Sequence, residues 1–308
     1  MLGKRLSTKS EVVIIIVDYS QTAISTLMAE LRGRTDVEIS TPLVRHMIIN
    51  TIRSYNVKYG KEFGKMVIAC DNKNYWRKKV FPYYKANRKK DRDDSGFDWN
   101  SIFEALNQVK IELAENFPYP VIEVDTAEAD DIVATLAQWA QENDLVQQGL
   151  DFEAQPVLII SGDHDFAQLQ RYKNVKQYSP IQKKWVKPEG TPHEVLMEHV
   201  LCGDKGDGVP NFLSPDDVFV SGGRQKPVQK KKLEDWKKLP IEHWETTPHA
   251  DNIKRNLAMV DLLRIPEDIK LSIINNYVQQ KDVRDKTNLL NYFIANKMRD
   301  MIDHITEF

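Results

Sequence analysis

Four short apolar segments of this chain run straight into carboxylates, and that recurrence constrains the fold more than any other feature. Glu11-Val-Val-Ile-Ile-Ile-Val17 precedes Asp18, and Lys65-Met-Val-Ile-Ala-Cys70 precedes Asp71. Tyr119-Pro-Val-Ile-Glu-Val124 is followed by Thr126-Ala-Glu-Ala-Asp-Asp131, and Pro156-Val-Leu-Ile-Ile160 by Ser161-Gly-Asp-His-Asp165. Short β-branched runs of this kind are strands buried on both faces of a parallel sheet. Helical patterns lie between them: an amphipathic stretch over 42–59, a helix capped by Thr126 and continuing through Ala140, and another after Asp165. Strands alternating with helices call for a mostly parallel α/β sheet with right-handed crossovers, whose sites form at the carboxyl ends of the strands. Asp18, Asp71, Glu128, Asp130, Asp131, Asp163 and Asp165 therefore converge on one edge. A single Asp after a strand is ordinary turn chemistry, but turn chemistry does not require acids at four successive strand exits.

Carboxylates gathered in one crevice repel one another, and a divalent cation resolves the conflict. Hard oxygen ligands select magnesium, with manganese able to substitute. Two such ions roughly 4 Å apart can activate a water and stabilise the leaving oxygen in phosphodiester hydrolysis. Competing readings are weaker. His193, His199 and Cys202 lack the second pair that a tetrahedral zinc site needs. Asp18 is followed by Tyr19 and Ser20, which breaks the aspartate pattern of a haloacid-dehalogenase phosphatase. No twelve-residue EF-hand loop is present. His164 is expected to point away from its two aspartate neighbours, as packing or surface.

Cys70 and Cys202 are the only cysteines in 308 residues, too few for a disulfide framework. No apolar run approaches membrane-spanning length, and residues 1–10 lack the apolar core of a secretory signal, so an intracellular protein with no membrane partner is expected. The net charge of −2 conceals a segregation. Arg77, Lys78, Lys79, Lys85, Arg88, Lys89, Lys90 and Arg92 face the single acid Asp91 in their stretch, and a second basic block spans 224–238. The first block lies in a segment, 72–98, that also carries Tyr75, Trp76, Phe81, Tyr83 and Tyr84. Cations interleaved with aromatics suit phosphate contact and base stacking on a single strand. Pro and Gly punctuate the chain after Pro180, and helical patterning is expected to resume beyond Asp251.

Val17-Asp18-Tyr-Ser, Cys70-Asp71-Asn, Glu128-Ala-Asp-Asp131, Ser161-Gly-Asp-His-Asp-Phe166 and Gly203-Asp-Lys-Gly-Asp-Gly-Val-Pro210 together resemble, in order and spacing, the motif series of the flap endonuclease and 5′-3′ exonuclease family. Trp76-Arg77, Tyr83-Tyr-Lys85, Asn174-Val-Lys-Gln177 and Lys183-Lys-Trp-Val-Lys187 are similar to its T-even phage ribonuclease H branch. The resemblance implies a PIN-like core over 1–188, with an arch insertion at about 72–98. It also implies a smaller helical C-terminal lobe over 189–308, carrying a helix-hairpin-helix-type duplex-binding element at about 200–235. By motif, Asp18, Asp71, Glu128 and Asp130 would hold one Mg2+, and Asp130, Asp163, Asp165 and Asp207 a second. Asp131 and Asp204 would be direct or outer ligands. Arg77 and Lys85 would contact the scissile phosphate. Lys78, Arg88 and Lys89 in the arch, and Lys205, Gly206, Gly208, Arg224 and Lys226 in the hairpin region, would bind DNA. The hairpin match weakens at Val218-Phe-Val-Ser-Gly-Gly-Arg-Gln-Lys226, where Gly222 and Gly223 would substitute for the usual turn. The implied activity is 5′ nuclease action on DNA and RNA–DNA duplexes, flaps or forks, in primer removal. The implied protein is a monomer working with a phage single-strand-binding protein and a sliding clamp. The alternatives are a PIN-type ribonuclease acting on RNA alone, against which the cationic insertion and the 203–210 element argue, and an inactive nucleic-acid-binding homologue, against which the intact carboxylates argue.

Overall fold

The computed structural model describes residues 14–143, 145–148 and 151–308. The expected beginning of the first strand, at residues 11–13, lies outside them, as do residues 1–10. β1 (Ile14–Asp18) leads into α1 (Tyr19–Leu31), and α2 (Thr41–Phe63) into β2 (Lys65–Ala69). The insertion carries α3 (Trp76–Val80) and α4 (Arg88–Asp93) and returns through α5 (Trp99–Asn116) to β3 (Val121–Ile122). Next come α6 (Ala129–Asn143), a hairpin of β4 (Leu145–Gln148) and β5 (Asp151–Ala154), β6 (Val157–Ile160), a 3-10 segment (His164–Arg171), β7 (Val175–Ser179) and β8 (Lys184–Trp185). The remainder is helical: α7 (Pro192–Cys202), α8 (Lys230–Trp236), α9 (Ile241–Glu245), α10 (Ala250–Val260), α11 (Glu267–Gln280), α12 (Leu289–Ala295) and α13 (Arg299–Asp303).

The main sheet has the order β3-β2-β1-β6-β7-β8, parallel throughout except for β8. β1 sits at its centre, with Ile16 opposite Val67 on one side and Ile159 on the other. Its side chains alternate between two cores, as the pleat dictates. Ile15 and Val17 join Met66, Ile68, Leu158 and Ile160 against α1, α2 and α5, while Ile14 and Ile16 join Val67, Ala69, Val157 and Ile159 against α6. Each fully buried aliphatic side chain of this kind contributes about 1.5–3 kcal/mol, which explains why the strands contain almost nothing else. The strand order reverses between β1 and β6, and that switch point opens a crevice at the carboxyl ends.

Several local expectations change. Thr126 does not cap α6. It takes a left-handed φ of 64° and its carbonyl accepts a hydrogen bond from the Trp76 amide at 2.9 Å, so the helix starts three residues later and ties back to the insertion. Helices also precede Asp251. α7 begins on a reciprocal capping box, the Thr191 hydroxyl taking the Glu194 amide and the Glu194 carboxylate the Thr191 amide.

A third core joins the insertion to the C-terminal region: Phe81 and Tyr84 pack with Leu196, Val200, Phe212, Trp244 and Leu257. The last helices then return to the sheet layers. Ile269, Ile273 and Tyr277 of α11 cover α6, and Phe293 and Phe308 pack edge-on against Phe117 at 5.9 and 5.6 Å. Among the described residues no helix is long and apolar enough to cross a membrane.

Candidate metal centre and nucleic-acid interface

Asp18, the last residue of β1, accepts the Gln21 amide at 3.1 Å as the cap of α1 and the Ser161 hydroxyl at 3.1 Å from the end of β6. The two strands of the switch point are thereby bridged. Asp71, one residue beyond Cys70, accepts the Ala129 amide at the start of α6 at 2.9 Å, and Asp163 caps the 3-10 segment through the Asp165 amide. Burial pushes the Asp18 carboxyl up to about 7, with the Asp71 charge adding to it and that of Asp163 contributing. Asp130 is raised well above the carboxylate range by burial and by the charges of Asp163 and Asp18. Asp163 is raised by burial and by Asp165. The carboxylates of four strand exits thus feel one another. Hard oxygen donors that resist ionisation together suit a shared divalent cation.

Arg77 and Lys85 sit differently, and Arg77 is not at a surface that a phosphate would meet. Arg77 is buried, its guanidinium 2.8 Å from Glu128 and 2.9 Å from Asp131 and its Nε donating to the Met259 carbonyl at 2.9 Å. Burial would lower its pKa, but Asp131, Tyr84 and Glu128 hold the charge in place. In this structure Arg77 cross-links α3, α6 and α10. Asp131 lies in the same network. Its carboxylate is fully buried and is taken up by Arg77, the Trp76 indole N–H at 3.0 Å and the Glu128 amide at 2.9 Å, so it anchors the insertion.

Lys85 does reach the acids. It pairs with Glu128 and lies 3.7 Å from Asp207, and its backbone is left-handed at φ 58°, held by its amide donating to the Asp207 carbonyl at 2.7 Å. The Tyr84 hydroxyl sits between Glu128 and Asp207, 3.1 and 2.8 Å from their oxygens. Sequence reading placed Tyr84 only among stacking aromatics and missed this role. Its one signal is adjacency to Lys85.

The 203–210 turn is zipped onto the base of the insertion. Asn87 donates to the Lys205 carbonyl at 3.0 Å and Arg88 pairs with Asp207. Gly208 is buried with φ 72°, and a Cβ there would lie 3.1 Å from the Tyr83 carbonyl. The Gly208 backbone thus faces the insertion. Lys205 and Gly206 are exposed, as are Lys78, Lys89, Arg224 and Lys226. α7 supplies the helix before this turn, but the chain after it runs through turns and extended segments up to α8, so Arg224 and Lys226 do not start a helix.

His164 lies at the surface, as expected, but does not point away from its aspartate neighbours. The 3-10 geometry turns it toward its neighbours, 3.6 Å from Asp163 and 3.9 Å from Asp165. His199 projects from α7 between Asp165, at 2.5 Å, and Asp204, at 3.4 Å. Burial would lower its pKa, yet those two carboxylates raise it to about 10, and Asp204 in turn is held at about 2 by His199 against the opposing effect of burial. His193 is elsewhere, bonded to the Leu239 carbonyl, so the His193, His199 and Cys202 trio does not assemble. Beside the acids a cavity of about 760 Å³ runs from Asp71 between α1, α5 and the insertion, with Lys73, Tyr75, Arg88, Arg92, Trp99 and Phe103 on its walls.

Comparison with known proteins gives consistent matches. A model described as the 5′-3′ exonuclease N-terminal resolvase-like domain covers residues 14–196, and one for the C-terminal domain of T4 RNase H covers residues 190–308. The chain is 34% identical over 305 residues to the ribonuclease H of Enterobacteria phage T4, spanning 96% of this chain and 95% of that protein. It is 32% identical over 142 residues to flap endonuclease Xni of Shewanella pealeana, spanning 44% of this chain and 48% of the other. In fold it is similar to the bacteriophage T5 flap endonuclease, solved as a complex with DNA and metal ions, with a TM-score of 0.60 at 15% identity over 87% of this chain and 99% of that one. The T5 5′-exonuclease with bound zinc aligns with a TM-score of 0.59, also at 15% identity and with the same coverage.

Proposed function

Because the chain belongs to the 5′-3′ exonuclease family and is thereby a structure-specific nuclease, we propose that it hydrolyses phosphodiesters near the 5′ ends of RNA–DNA and DNA–DNA duplexes and of flaps, with two Mg2+ ions. The observation that carries this reading is the convergence of Asp18, Asp71, Asp130 and Asp163 at the switch point of the sheet, where, on top of burial, Asp71 and Asp163 raise Asp18, and Asp163 and Asp18 raise Asp130. Asp18, Asp71 and Asp130 would hold one ion, and Asp130, Asp163, Asp165 and Asp207 the other. Glu128, already engaged by Arg77, Tyr84 and Lys85, acts from behind them. Bound divalent ions would polarise the phosphate and lower the pKa of a water.

The chain's own groups supply the rest. Lys85, the cation nearest the acids, would neutralise charge developing on the scissile phosphate. The exposed Lys78, Lys89, Lys205, Arg224 and Lys226 would position the nucleic-acid backbone without reading bases. Tyr75, Trp99 and Phe103 along the cavity would stack on unpaired bases. We assign residues 1–188 to the nuclease core and 189–308 to the region that grips duplex. The biological setting in this reading is primer removal by a monomer, with a single-strand-binding protein and a sliding clamp as partners. Support for it is the near full-length match to a phage ribonuclease H.

The test uses a 5′-labelled flap, a nicked RNA–DNA hybrid and a single-stranded RNA, each with magnesium or with chelator. Magnesium-dependent cleavage of the first two is expected. Cleavage of the single-stranded RNA alone would replace the reading with a simple ribonuclease.

A further inference from the structure

We propose that His164, Asp165 and His199 form a binding site for a borderline transition cation such as Zn2+ or Co2+, adjoining the all-carboxylate group and sharing Asp165 with it. One donor atom from each residue lies within 4.8 Å of the others, with 3.9 Å between His164 Nε2 and Asp165 Oδ1 and 2.5 Å between His199 Nδ1 and the same oxygen. Donors around a tetrahedral ion with bonds of 2.0–2.1 Å stand about 3.3 Å apart. Seating an ion therefore takes small movements: the His164 contact closes, which its 72% exposed side chain permits, and the short His199 contact opens.

Two further features point to a cation. Asp165 Oδ1 is buried, and beyond its 2.5 Å contact to His199 Nδ1 it accepts no hydrogen bond among the described residues, so part of its acceptor capacity stays unused. On the far side of the same ring, Asp204 lies 3.4 Å from Nε2. A carboxylate behind a ligating imidazole fixes its tautomer and raises its basicity, the usual support of a metal-bound histidine. Imidazole nitrogens suit zinc, cobalt and nickel, whereas magnesium keeps to oxygen.

The competing account makes His199 an imidazolium pinned between Asp165 and Asp204, a cross-link from α7 to the 3-10 segment. That account leaves His164 only loose contacts to Asp163 and Asp165. Yet the two imidazoles approach to 4.6 Å between ring centroids, tilted by 40°, with both facing Asp165. On cation binding the His199 Nδ1 proton leaves to solvent and its lone pair takes the ion, while Asp204 retains its contact at Nε2. Occupancy withdraws Asp165 from the carboxylate group, so the bound transition ion inhibits magnesium-dependent turnover.

The probe is Co2+ titrated into the full-length protein in excess magnesium, followed by visible d–d absorption, with Zn2+ competition as a second reading. The wild type is expected to bind one equivalent with a spectrum typical of nitrogen ligation. His164→Gln, an exposed change that leaves the fold undisturbed, is expected to weaken that binding by about 10- to 100-fold and to relieve Zn2+ inhibition while magnesium-supported cleavage stays at the wild-type level. His199→Gln should abolish the spectrum. If His199→Gln fails to fold, His164→Gln alone decides. Equal Co2+ affinity and spectra in the wild type and His164→Gln would overturn the proposal. The spectroscopic readout needs no cleavage, so a failure of the nuclease reading and a failure of this site are distinguishable.

Discussion

Replacing Arg77 with methionine keeps most of the side-chain volume and removes the charge, and the structure predicts that the loss appears in stability before it appears in DNA binding. The Arg77 side chain is 3% exposed and its partners Glu128 and Asp131 are 1% and 0% exposed. Breaking a buried ion pair by deleting one partner costs about 3–5 kcal/mol, because the remaining charge is uncompensated. Glu128 keeps Lys85 and Tyr84, and Asp131 keeps Trp76 and the Glu128 amide, which argues for the lower half of that range. The freed Met259 carbonyl adds about 1 kcal/mol. A loss of about 4 kcal/mol overall corresponds to a fall in Tm of about 6 °C for a chain of 308 residues. Urea unfolding and calorimetry read it directly. Arg77→Met/Asp131→Asn should recover part of the loss, since the neutral amide no longer needs the guanidinium. A change under about 1 kcal/mol accompanied by weakened flap binding would refute the argument and return Arg77 to the substrate surface.

The remaining expectations are narrower. Asp130→Asn should abolish cleavage while leaving flap affinity in a gel-shift assay near that of the wild type, because a ligand proposed for both ions is lost and the exposed cations are untouched; preserved turnover would reject the shared role. Lys85→Ala should lower kcat by about 100-fold, a larger effect than that of Lys89→Ala, whose side chain is exposed; equal effects would make Lys85 just one more phosphate contact. Glu112 is held below the ordinary carboxylate range: burial opposes this, but the Arg45 hydrogen bond, Tyr292 and Gln108 outweigh it. Its contribution to stability is thus complete above its unfolded pKa and lost as pH falls through its folded value. Glu112→Gln should flatten the acid limb of the stability–pH curve, and an unchanged limb would contradict the assignment.

The parts of the fold legible in the sequence are those where burial leaves little choice. β1, β2 and β6 must be apolar on both faces, and their aspartate exits follow from the parallel topology. β7 and β8 were not legible as strands. β7 buries Val175, Gln177, Tyr178 and Ser179 and exposes Lys176, so it has no apolar run, and β8 is a two-residue antiparallel edge with both residues exposed. α7 carries a clear capping box, but Pro and Gly on both sides mask it. At the site, the carboxylate positions could be counted along the chain, whereas the partners of each could not. Arg77 and Lys85 look alike in a basic run. Only the third core, through Phe81 and Tyr84, decides which cations turn inward.

That core gives the basic run two separate roles. Over α3 the chain turns Trp76 and Arg77 inward and Lys78, Lys79 and Val80 outward, as one short helical turn must when a single face is anchored. Lys85 is brought back by its left-handed backbone and by the Asp207 carbonyl, while Lys89 and Lys90 remain outside. The inward cations balance carboxylates that would otherwise destabilise the crevice, and the outward ones are free to meet phosphates. Glu128 ties the inward set together, since it touches Arg77, Tyr84 and Lys85 at once. Any change in how the acids are neutralised is therefore transmitted through Glu128 and Asp207 to the insertion and the 203–210 turn, the two segments that carry the exposed cations.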